Sequence, residues 1–336
     1  MPSESAIDYS IIICTYNTDE RILRRCLDAV AALDREGLAT EVILADNNSV
    51  TPAESLGFVR QSFSKIPNMK GILVPQQGVK YARMEAIEKA RGKYIVYIDD
   101  DNEPESDYLQ QLKKLNTQFD QVGAWGPGDV TVQFMDNVDK SLESYARIAF
   151  QERHDPSLKT AHLLDWQPCY PFGTGLCMVA SVLKEYAALA KQGKLTFEGR
   201  KGKLISGGED VQMVMFCIKK GYHAGTSPAL RLNHLIPKEK ANKEHLKRLA
   251  FGAAFCFEPA LLQVLPERKK FLEESSLSPF SFLRQAAQKL AASRLSTPKA
   301  FYDAIHFIGY QAGVYQALGK TLPGVVKKMI NGLKLK

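Results

Sequence analysis

Three consecutive carboxylates, Asp99-Asp100-Asp101, follow an apolar, β-rich run at residues 94–98. If the backbone stays extended, alternate side chains face the same way, so that Asp99 and Asp101 point to one side of the strand end. Paired carboxylates favour a hard divalent cation, which prefers oxygen ligands and leaves room for phosphate oxygens. The alternative is a solvated acidic turn. The position directly after a strand favours the cation site.

A second acidic pair, Glu209-Asp210, comes after Gly207-Gly208 and before an apolar pattern of helical spacing at residues 211–218. Acids at the start of a helix stabilise it through capping and the helix dipole. A carboxylate in this position could equally take the proton from a hydroxyl, as a general base does. The local sequence leaves both interpretations open.

Three isolated residues could complete such a site. His234 ends a predicted strand, and its imidazole could join Asp101 at a metal ion, although a lone histidine is more often a packing residue. Arg83 could hold a phosphate with its planar fork, or carry an ordinary surface charge. Asp46, after another strand, could accept a hydrogen bond from a base or ribose, or could simply form a turn.

The elements that must position these residues alternate between strand and helix. Apolar runs at residues 9–14, 41–45, 69–74 and 94–98 predict buried strands, and helical periodicity at 21–33 and 79–90 predicts connecting helices. This order predicts a parallel sheet whose loops gather at the strand carboxyl ends, where ligands bind. We also predict strands at 123–132 and 173–179, a helix at 210–220, helices beyond 240, and an irregular lid or acceptor loop at 133–168.

Length and composition predict one large α/β domain at residues 1–240 and an accessory helical region at 241–336. The six cysteines form no CxxC pair, and several stand in apolar runs, so they are predicted to be reduced core residues of a cytoplasmic protein. We expect neither a signal peptide nor a membrane-spanning helix. Since the sequence contains neither GxGxxG nor GxxxxGK[ST], a dehydrogenase-type dinucleotide fold and a P-loop NTPase are not expected.

The net charge of +7 is concentrated at the carboxyl end. Residues 281–336 contain nine Lys or Arg and one Asp, a net charge of +8, which leaves −1 for the rest of the chain. The same region carries an apolar stripe of helical spacing, which consists of Val325, Val326, Met329, Ile330 and Leu333. This pattern predicts either an interfacial helix on the anionic inner face of a membrane or a helix packed on the protein body. It does not favour nucleic acid as a partner.

Five segments together resemble family 2 glycosyltransferases of the GT-A fold. They are residues 10–17 (SIIICTYN), 45–49 (ADNNS), 78–83 (GVKYAR), 90–101 (ARGKYIVYIDDD) and 208–210 (GED). They occur in the order and spacing of the family, over about residues 8–240. The resemblance implies a Rossmann-like, mainly parallel sheet flanked by helices. It also implies transfer of a sugar from a nucleotide diphosphate, usually UDP, to an acceptor hydroxyl.

The resemblance implies roles for individual residues. The implied donor-binding residues are Thr15, Tyr16, Asn17, Asp46, Arg83, Asp99 and Asp100. The implied metal ligands are Asp101 and His234, which would hold Mg²⁺ or Mn²⁺. Asp210 would be the catalytic base, and Glu209 would orient the acceptor.

The implied reaction is a single in-line displacement with inversion at the anomeric carbon. The acceptor is predicted to be a glycan or a lipid-linked glycan of cell-surface polysaccharide synthesis. Trp125, Trp166 and Tyr170 could stack on its sugar rings, although aromatic side chains are more often core. A nucleotidyltransferase that forms sugar nucleotides and a non-catalytic nucleotide-sugar-binding protein remain alternatives.

Overall fold

The computed structural model of the protein describes residues 6–195 and 207–335. Its strands are β1 (Tyr9–Thr15), β2 (Thr40–Asp46), β3 (Met69–Leu73), β4 (Tyr94–Tyr97), β5 (Asn102–Pro104), β6 (Val122–Phe134), β7 (Arg153–His154), β8 (Lys159–Ala161), β9 (Cys177–Val179) and β10 (His223–Ile236). Its α-helices are α1 (Glu20–Ala31), α2 (Gly57–Lys65), α3 (Val79–Lys89), α4 (Tyr108–Gln118), α5 (Lys140–Ala149), α6 (Ala180–Lys191), α7 (Glu209–Lys219), α8 (Lys243–Val264), α9 (Lys269–Ser275), α10 (Pro279–Ser293), α11 (Pro298–Ala317) and α12 (Gly324–Gly332).

The strands form one sheet in the order β3-β2-β1-β4-β9-β6-β10-β5, with β7 on β6 and β8 on β10. Strands β3, β2, β1 and β4 pair in parallel, as predicted. The sheet is mixed, because β9 pairs antiparallel with β4 and β6, and β5 pairs antiparallel with β10. The predicted fold class is confirmed as an α/β sheet flanked by helices with a helical carboxyl-terminal region, but the sheet is mixed and not mainly parallel.

The parallel part of the sheet explains where polar residues collect. Strands β1 and β2 are buried along nearly their whole length, as expected of strands covered on both faces. Their register places Thr15 beside Asp46, so the two side chains that end these strands lie at the same edge. On α1, the apolar residues at helical spacing are all buried, four of them in the core cluster that includes β1 and β2, and Asp19 caps the helix.

Two predictions about local structure are wrong. Residues 133–168 are not an irregular loop, because they contain α5, β7 and β8. The two strands are only two and three residues long, too short for a periodic signal. The predicted strand at 173–179 begins only at Cys177, since Gly175 adopts a positive φ of 67° that interrupts an extended backbone.

The chain divides into two compact units. The first comprises residues 1–133, 152–194 and 213–235, and it holds the sheet. The second comprises residues 134–151, 195–212 and 236–336. The division of the chain into functional domains at residue 240 stays a prediction.

The second unit is helical, and its centre is the contact between α8 and α11. A Cβ atom at Gly309 or Gly313 of α11 would lie 2.4 Å from the carbonyl oxygen of Phe251 or Phe255 of α8, so both glycines permit a close approach of the two helices. Tyr145 of α5 stacks on Tyr302 of α11 with ring centroids 3.8 Å apart. Among the described residues, no helix combines the length and apolar character needed to span a bilayer.

Candidate functional site

The acidic triplet lies in a turn that follows β4. Strand β4 ends at Tyr97, and the backbone amide of Asn102 donates to the carbonyl of Asp99 at 2.9 Å. The extended backbone on which the predicted alternation of Asp99 and Asp101 depends is therefore absent, and that premise is wrong. The three like charges are instead directed to different partners.

Each carboxylate of the triplet contacts a residue that was predicted to join the site. Arg83 donates through one terminal guanidinium nitrogen to Asp99 Oδ1 at 3.2 Å, and Thr15 Oγ1 donates to Asp100 Oδ2 at 2.7 Å. His234 Nε2 lies 3.5 Å from Asp101 Oδ1. These contacts join residues far apart in the chain, from β1, α3 and β10, around a single turn.

Asp101 and His234 form a nearly buried pair of possible metal donors. Their side chains are 10% and 12% exposed. The backbone amide of Leu235 donates to the carbonyl of Asp101 at 2.8 Å, which fixes the turn against β10. No group of three or more His, Cys, Asp or Glu within residues 6–195 and 207–335 is arranged to hold a metal ion. A cation here would therefore need further ligands, such as water or the oxygens of a bound diphosphate.

Asn102 is a positioning residue that the sequence analysis missed. It is fully buried, and its amide nitrogen donates to Asp101 Oδ1 at 3.1 Å. Its Oδ1 accepts from the backbone amide of Asp99 at 3.2 Å. Asn102 therefore fixes both ends of the turn that carries the triplet. An asparagine after three aspartates looks like an ordinary turn former, so only its burial reveals this role.

The loops after β1 and β2 are joined by reciprocal hydrogen bonds. The backbone amide of Asn17 donates to Ser49 Oγ at 3.0 Å, and the amide of Val50 donates to Asn17 Oδ1 at 2.8 Å. Asn17 has a positive φ of 47°, which asparagine tolerates better than most residues. Tyr16 is half-exposed and accepts a hydrogen bond from Gln77 at 3.2 Å.

Asp46 organises the loop that follows it. Its two carboxylate oxygens accept from the backbone amides of Ser49 at 2.9 Å and Ala53 at 2.7 Å, and the residue is 5% exposed. This is the turn-forming alternative of the sequence analysis. Contact of Asp46 with a nucleotide base stays a prediction.

Asn47 connects this loop to the start of α3, a role that was not predicted from the sequence. Its amide donates to the carbonyls of Val74 at 3.2 Å and Gln76 at 2.7 Å, and its Oδ1 accepts from the amide of Gly78 at 2.6 Å. Helix α3 carries Arg83, whose guanidinium also lies over the ring of Tyr97 at 5.2 Å. The amide of Asn47 thus helps to place the helix that delivers Arg83.

A pocket of about 220 Å³ opens between the loops after β1 and β2. Its lining includes Thr15 and Asn17 from the first loop, Ser49 and Val50 from the second, and Leu23 of α1.

Burial raises the pKa of the Cys26 thiol well above its usual range, and the charges of Asp100, Asp101 and Asp99 raise it further. The thiol is therefore held protonated. All six cysteines are free, and all except Cys14 are buried.

Glu209 and Asp210 belong to the second unit, where they occupy the first turn of α7. The helix begins at Glu209, one residue before the predicted start, and directly after Gly208, whose φ of 148° suits glycine. Glu209 is buried, and Asp210 Oδ1 accepts from the backbone amide of Val211 at 2.8 Å. Their helix-start position is confirmed, and their roles as base and acceptor ligand stay predictions.

Two of the three aromatic residues proposed to stack on sugars are core residues. Trp125 is 1% exposed and Tyr170 is fully buried. Trp166 is partly exposed and contacts Tyr170 edge-on at 5.6 Å and Phe172 at 5.3 Å. Of the three, Trp166 alone has ring surface that an acceptor could contact.

Comparison with known families matches residues 10–177 to the family described as Glycosyl transferase family 2. These 168 residues are half of the 336-residue chain, and they contain the turn, both loops and α3. The chain belongs to glycosyl transferase family 2. The family span covers Thr15, Arg83 and the acidic triplet, whereas His234, Glu209 and Asp210 lie beyond it.

Curated relatives match this family 2 chain over only part of their own length. The putative glycosyltransferase EpsH of Bacillus subtilis (strain 168) is 31% identical over 155 residues, which are 42% of this chain and 42% of that protein. An N-acetylglucosaminyltransferase of Rhizobium meliloti (strain 1021) is 23% identical over 234 residues, which are 68% of this chain and 51% of that protein. The chain thus spans about half or less of these relatives. Among solved structures, S. aureus TarS 1–349 in complex with UDP-GlcNAc has a TM-score of 0.47 and 14% identity, with 94% of this chain and 93% of that chain covered.

Proposed function

We propose that this family 2 protein is an inverting glycosyltransferase that moves a sugar from a UDP-sugar to an acceptor hydroxyl. The observation that carries the proposal is the set of three contacts that join Thr15, Arg83 and His234 to the acidic triplet at the strand ends. Open α/β sheets bind ligands at this edge. The R. meliloti relative, an N-acetylglucosaminyltransferase, supports UDP-N-acetylglucosamine as the first donor to test.

On the donor side, Arg83 supplies a fixed positive charge for the diphosphate. Its guanidinium is buried and held by Asp99 and by the ring of Tyr97, so little rotamer entropy is lost when it binds phosphate. Thr15 and Asp46 lie side by side in register and are proposed to frame the base. Tyr16, Asn17 and Asp100 complete the proposed donor set.

Mg²⁺ or Mn²⁺ is the proposed cofactor, with Asp101 and His234 as its protein ligands. The carboxylate and imidazole are within 3.5 Å of each other and nearly buried, a donor pair that such ions accept. When bound, the cation would offset the negative charge that develops on the leaving diphosphate. Asp210 is proposed to take the acceptor proton as general base, and Glu209 to orient the acceptor.

The acceptor is proposed to be a glycan or a lipid-linked glycan, handled by a protein that associates peripherally with an anionic membrane. The net charge of +8 over residues 281–336 supports attraction to anionic lipids. The predicted contact through α12 has less support, because Val326 and Ile330 of the apolar stripe are buried in the protein. In α12 the packed-helix alternative thus accounts for part of the stripe.

The experiment incubates the full chain with UDP-N-acetylglucosamine, Mn²⁺ and either p-nitrophenyl N-acetylglucosaminide or a lipid-pyrophosphate-linked sugar as acceptor. We expect release of UDP and a product of opposite anomeric configuration by NMR. With pyrophosphate added in place of the acceptor, formation of UTP and N-acetylglucosamine 1-phosphate would indicate a nucleotidyltransferase. Asp210→Asn should lower transfer by about 10²–10⁴-fold with nearly unchanged donor affinity. Asp28→Asn, an exposed position on α1, is the matched control. If Asp210→Asn retains the wild-type rate, the base assignment is wrong.

A further inference from the structure

Helix α10 has one packed face and one exposed face. On the packed face, Phe282 and Ala286 are fully buried. The ring of Phe282 lies 6.1 Å from that of Phe307 and 6.0 Å from that of Tyr315, both on α11. On the other face, Ala287, Gln288 and Ala291 are exposed. Their side chains are uncharged and do not pack on α11 as Phe282 does. The helix is therefore fixed on α11 while its outer face meets solvent.

Large apolar side chains are exposed at both ends of α10. Phe280, in its first turn, is 75% exposed, and Leu295, in the turn that follows the helix, is 95% exposed. The two residues are 15 positions apart, which corresponds to roughly 22 Å along a helix. Two exposed apolar anchors at this spacing, on a helix that already buries its other face, indicate a contact outside the chain.

The same segment carries positive charges only, between Glu274 and Asp303. Residues 275–302 contain Arg284, Lys289, Arg294 and Lys299, and no Asp or Glu. Lys299 is paired with Asp303 at 2.7 Å, and the ammonium of Lys289 lies over the Phe307 ring at 5.1 Å. Arg284 and Arg294 are exposed, and their guanidinium groups make no hydrogen bond or ion pair within the part of the chain that the structure describes. Their charge is available to an anionic partner.

We propose that Phe280, Arg284, Arg294 and Leu295 form a docking surface, the α10 surface, for an anionic lipid bilayer. Phe280 and Leu295 enter the headgroup region, and Arg284 and Arg294 contact lipid phosphates. Charge complementarity alone would also suit a soluble polyanion. The exposed Phe280 and Leu295 favour a bilayer, because a nucleic-acid backbone or an acidic peptide offers them no apolar phase.

This inference rests on the membrane association in the proposed function and deepens it by naming the surface that makes the contact. It does not depend on the transfer reaction, because lipid binding is measured without donor or acceptor. It also moves the membrane contact from α12, the predicted location, to α10. In α12 the buried Val326 and Ile330 are already used in packing, whereas in α10 the large apolar residues at the two ends are exposed.

The test is flotation of the full chain with vesicles of phosphatidylglycerol and phosphatidylcholine, and with vesicles of pure phosphatidylcholine. We expect binding to the anionic vesicles only, and weaker binding as salt is raised. Arg284→Gln with Arg294→Gln should weaken binding by about tenfold or more. Phe280→Ser with Leu295→Ser should weaken it by a similar factor. The matched control is Lys327→Gln with Lys328→Gln, which removes the same charge from exposed positions on α12.

Thermal melting of each variant establishes that it is folded, which is expected because all the substituted side chains are exposed. A wild-type chain that does not float with anionic vesicles would overturn the proposal. So would an equal loss of binding in the α12 control, since the contact would then depend on total charge and not on the α10 surface. Binding to heparin or RNA that matches binding to vesicles, and that survives Phe280→Ser with Leu295→Ser, would identify a soluble polyanion instead.

Discussion

The hydroxyl of Thr15 donates a hydrogen bond of 2.7 Å to Oδ2 of Asp100, which joins the end of β1 to the turn after β4. The two residues are 85 positions apart in the chain. Thr15 is 3% exposed, so the bond lies largely out of water. It holds one carboxylate of the triplet in place before any nucleotide arrives, and this preorganisation lowers the cost of binding.

Thr15→Val tests this hydrogen bond, because it removes the hydroxyl and keeps the shape of the side chain. We expect donor affinity to fall by about tenfold or more, since a hydrogen bond to a charged group contributes ~1.5–3 kcal/mol. Thr15→Ser keeps the hydroxyl and should bind donor almost as the wild type does. Calorimetry with UDP and Mn²⁺ measures both variants. Equal affinity of Thr15→Val and the wild type would contradict the role given to Thr15.

We expect Asn47 to contribute more to the free energy of unfolding than its exposed neighbour, Asn48. Asn47→Ala removes three hydrogen bonds from a buried position and leaves the carbonyl of Gln76 and the amide of Gly78 without that partner. We expect a loss of about 2–4 kcal/mol in the free energy of unfolding, measured with urea. Asn48→Gly, which tolerates the positive φ of 63° at that site, is the control and should change stability by less than ~1 kcal/mol. Similar losses in both variants would show that Asn47 has no special role.

Because of the carboxylate of Glu41, we expect the free energy of unfolding to depend on pH. Burial by itself raises the pKa of Glu41, but hydrogen bonds from Ser10 Oγ, the Arg91 amide and Lys70 outweigh burial, so that the pKa lies below its ordinary value. Because the pKa is lower in the folded state, the ionised group stabilises the fold above its unfolded-state pKa of about 4.3. This contribution is lost as the pH falls through the folded-state pKa.

Glu41→Gln should therefore lower the free energy of unfolding by about 1–3 kcal/mol at pH 7. The difference from the wild type should shrink as the pH falls below about 4. Urea unfolding between pH 3 and pH 7 measures it, and Glu36→Gln, at an exposed position, is the control. A difference that stays constant over this range would mean that the charge of Glu41 contributes nothing.

Gly313→Ala tests the close contact of α8 and α11. The new methyl group would lie 2.4 Å from the carbonyl oxygen of Phe255, so the helices must separate. We expect a loss of about 1–3 kcal/mol, even though alanine favours helix formation by ~1 kcal/mol relative to glycine. Gly332→Ala, where nothing lies within 4 Å of the new Cβ, should be neutral or stabilising. A Gly313→Ala protein with an unchanged melting temperature would contradict the packing argument.

Much of the site could be predicted because apolar runs in a sequence indicate where strands end. The apolar runs placed Thr15, Asp46 and the triplet at the ends of β1, β2 and β4, and the structure brings Thr15 and Asp46 into register. The hydrogen-bond partners of these residues could not be predicted in the same way. Nothing local distinguishes Asn47 and Asn102, which are buried and hydrogen-bonded, from Asn48, which is exposed. Their roles depend on which distant backbone groups lie beside them.

From the sequence alone came the parallel half of the sheet, the start of α7 to within one residue, the family and the basic carboxyl end. Each follows from a periodic or contiguous pattern, because neighbours in the chain share an element and its environment. Only the tertiary structure decided that β9 and β5 pair antiparallel, that residues 134–151 join the carboxyl-terminal helices in one unit, and that Trp125 is buried. Those outcomes depend on contacts between segments far apart in the chain. Such contacts stabilise the fold without producing a periodic pattern in any local stretch of sequence.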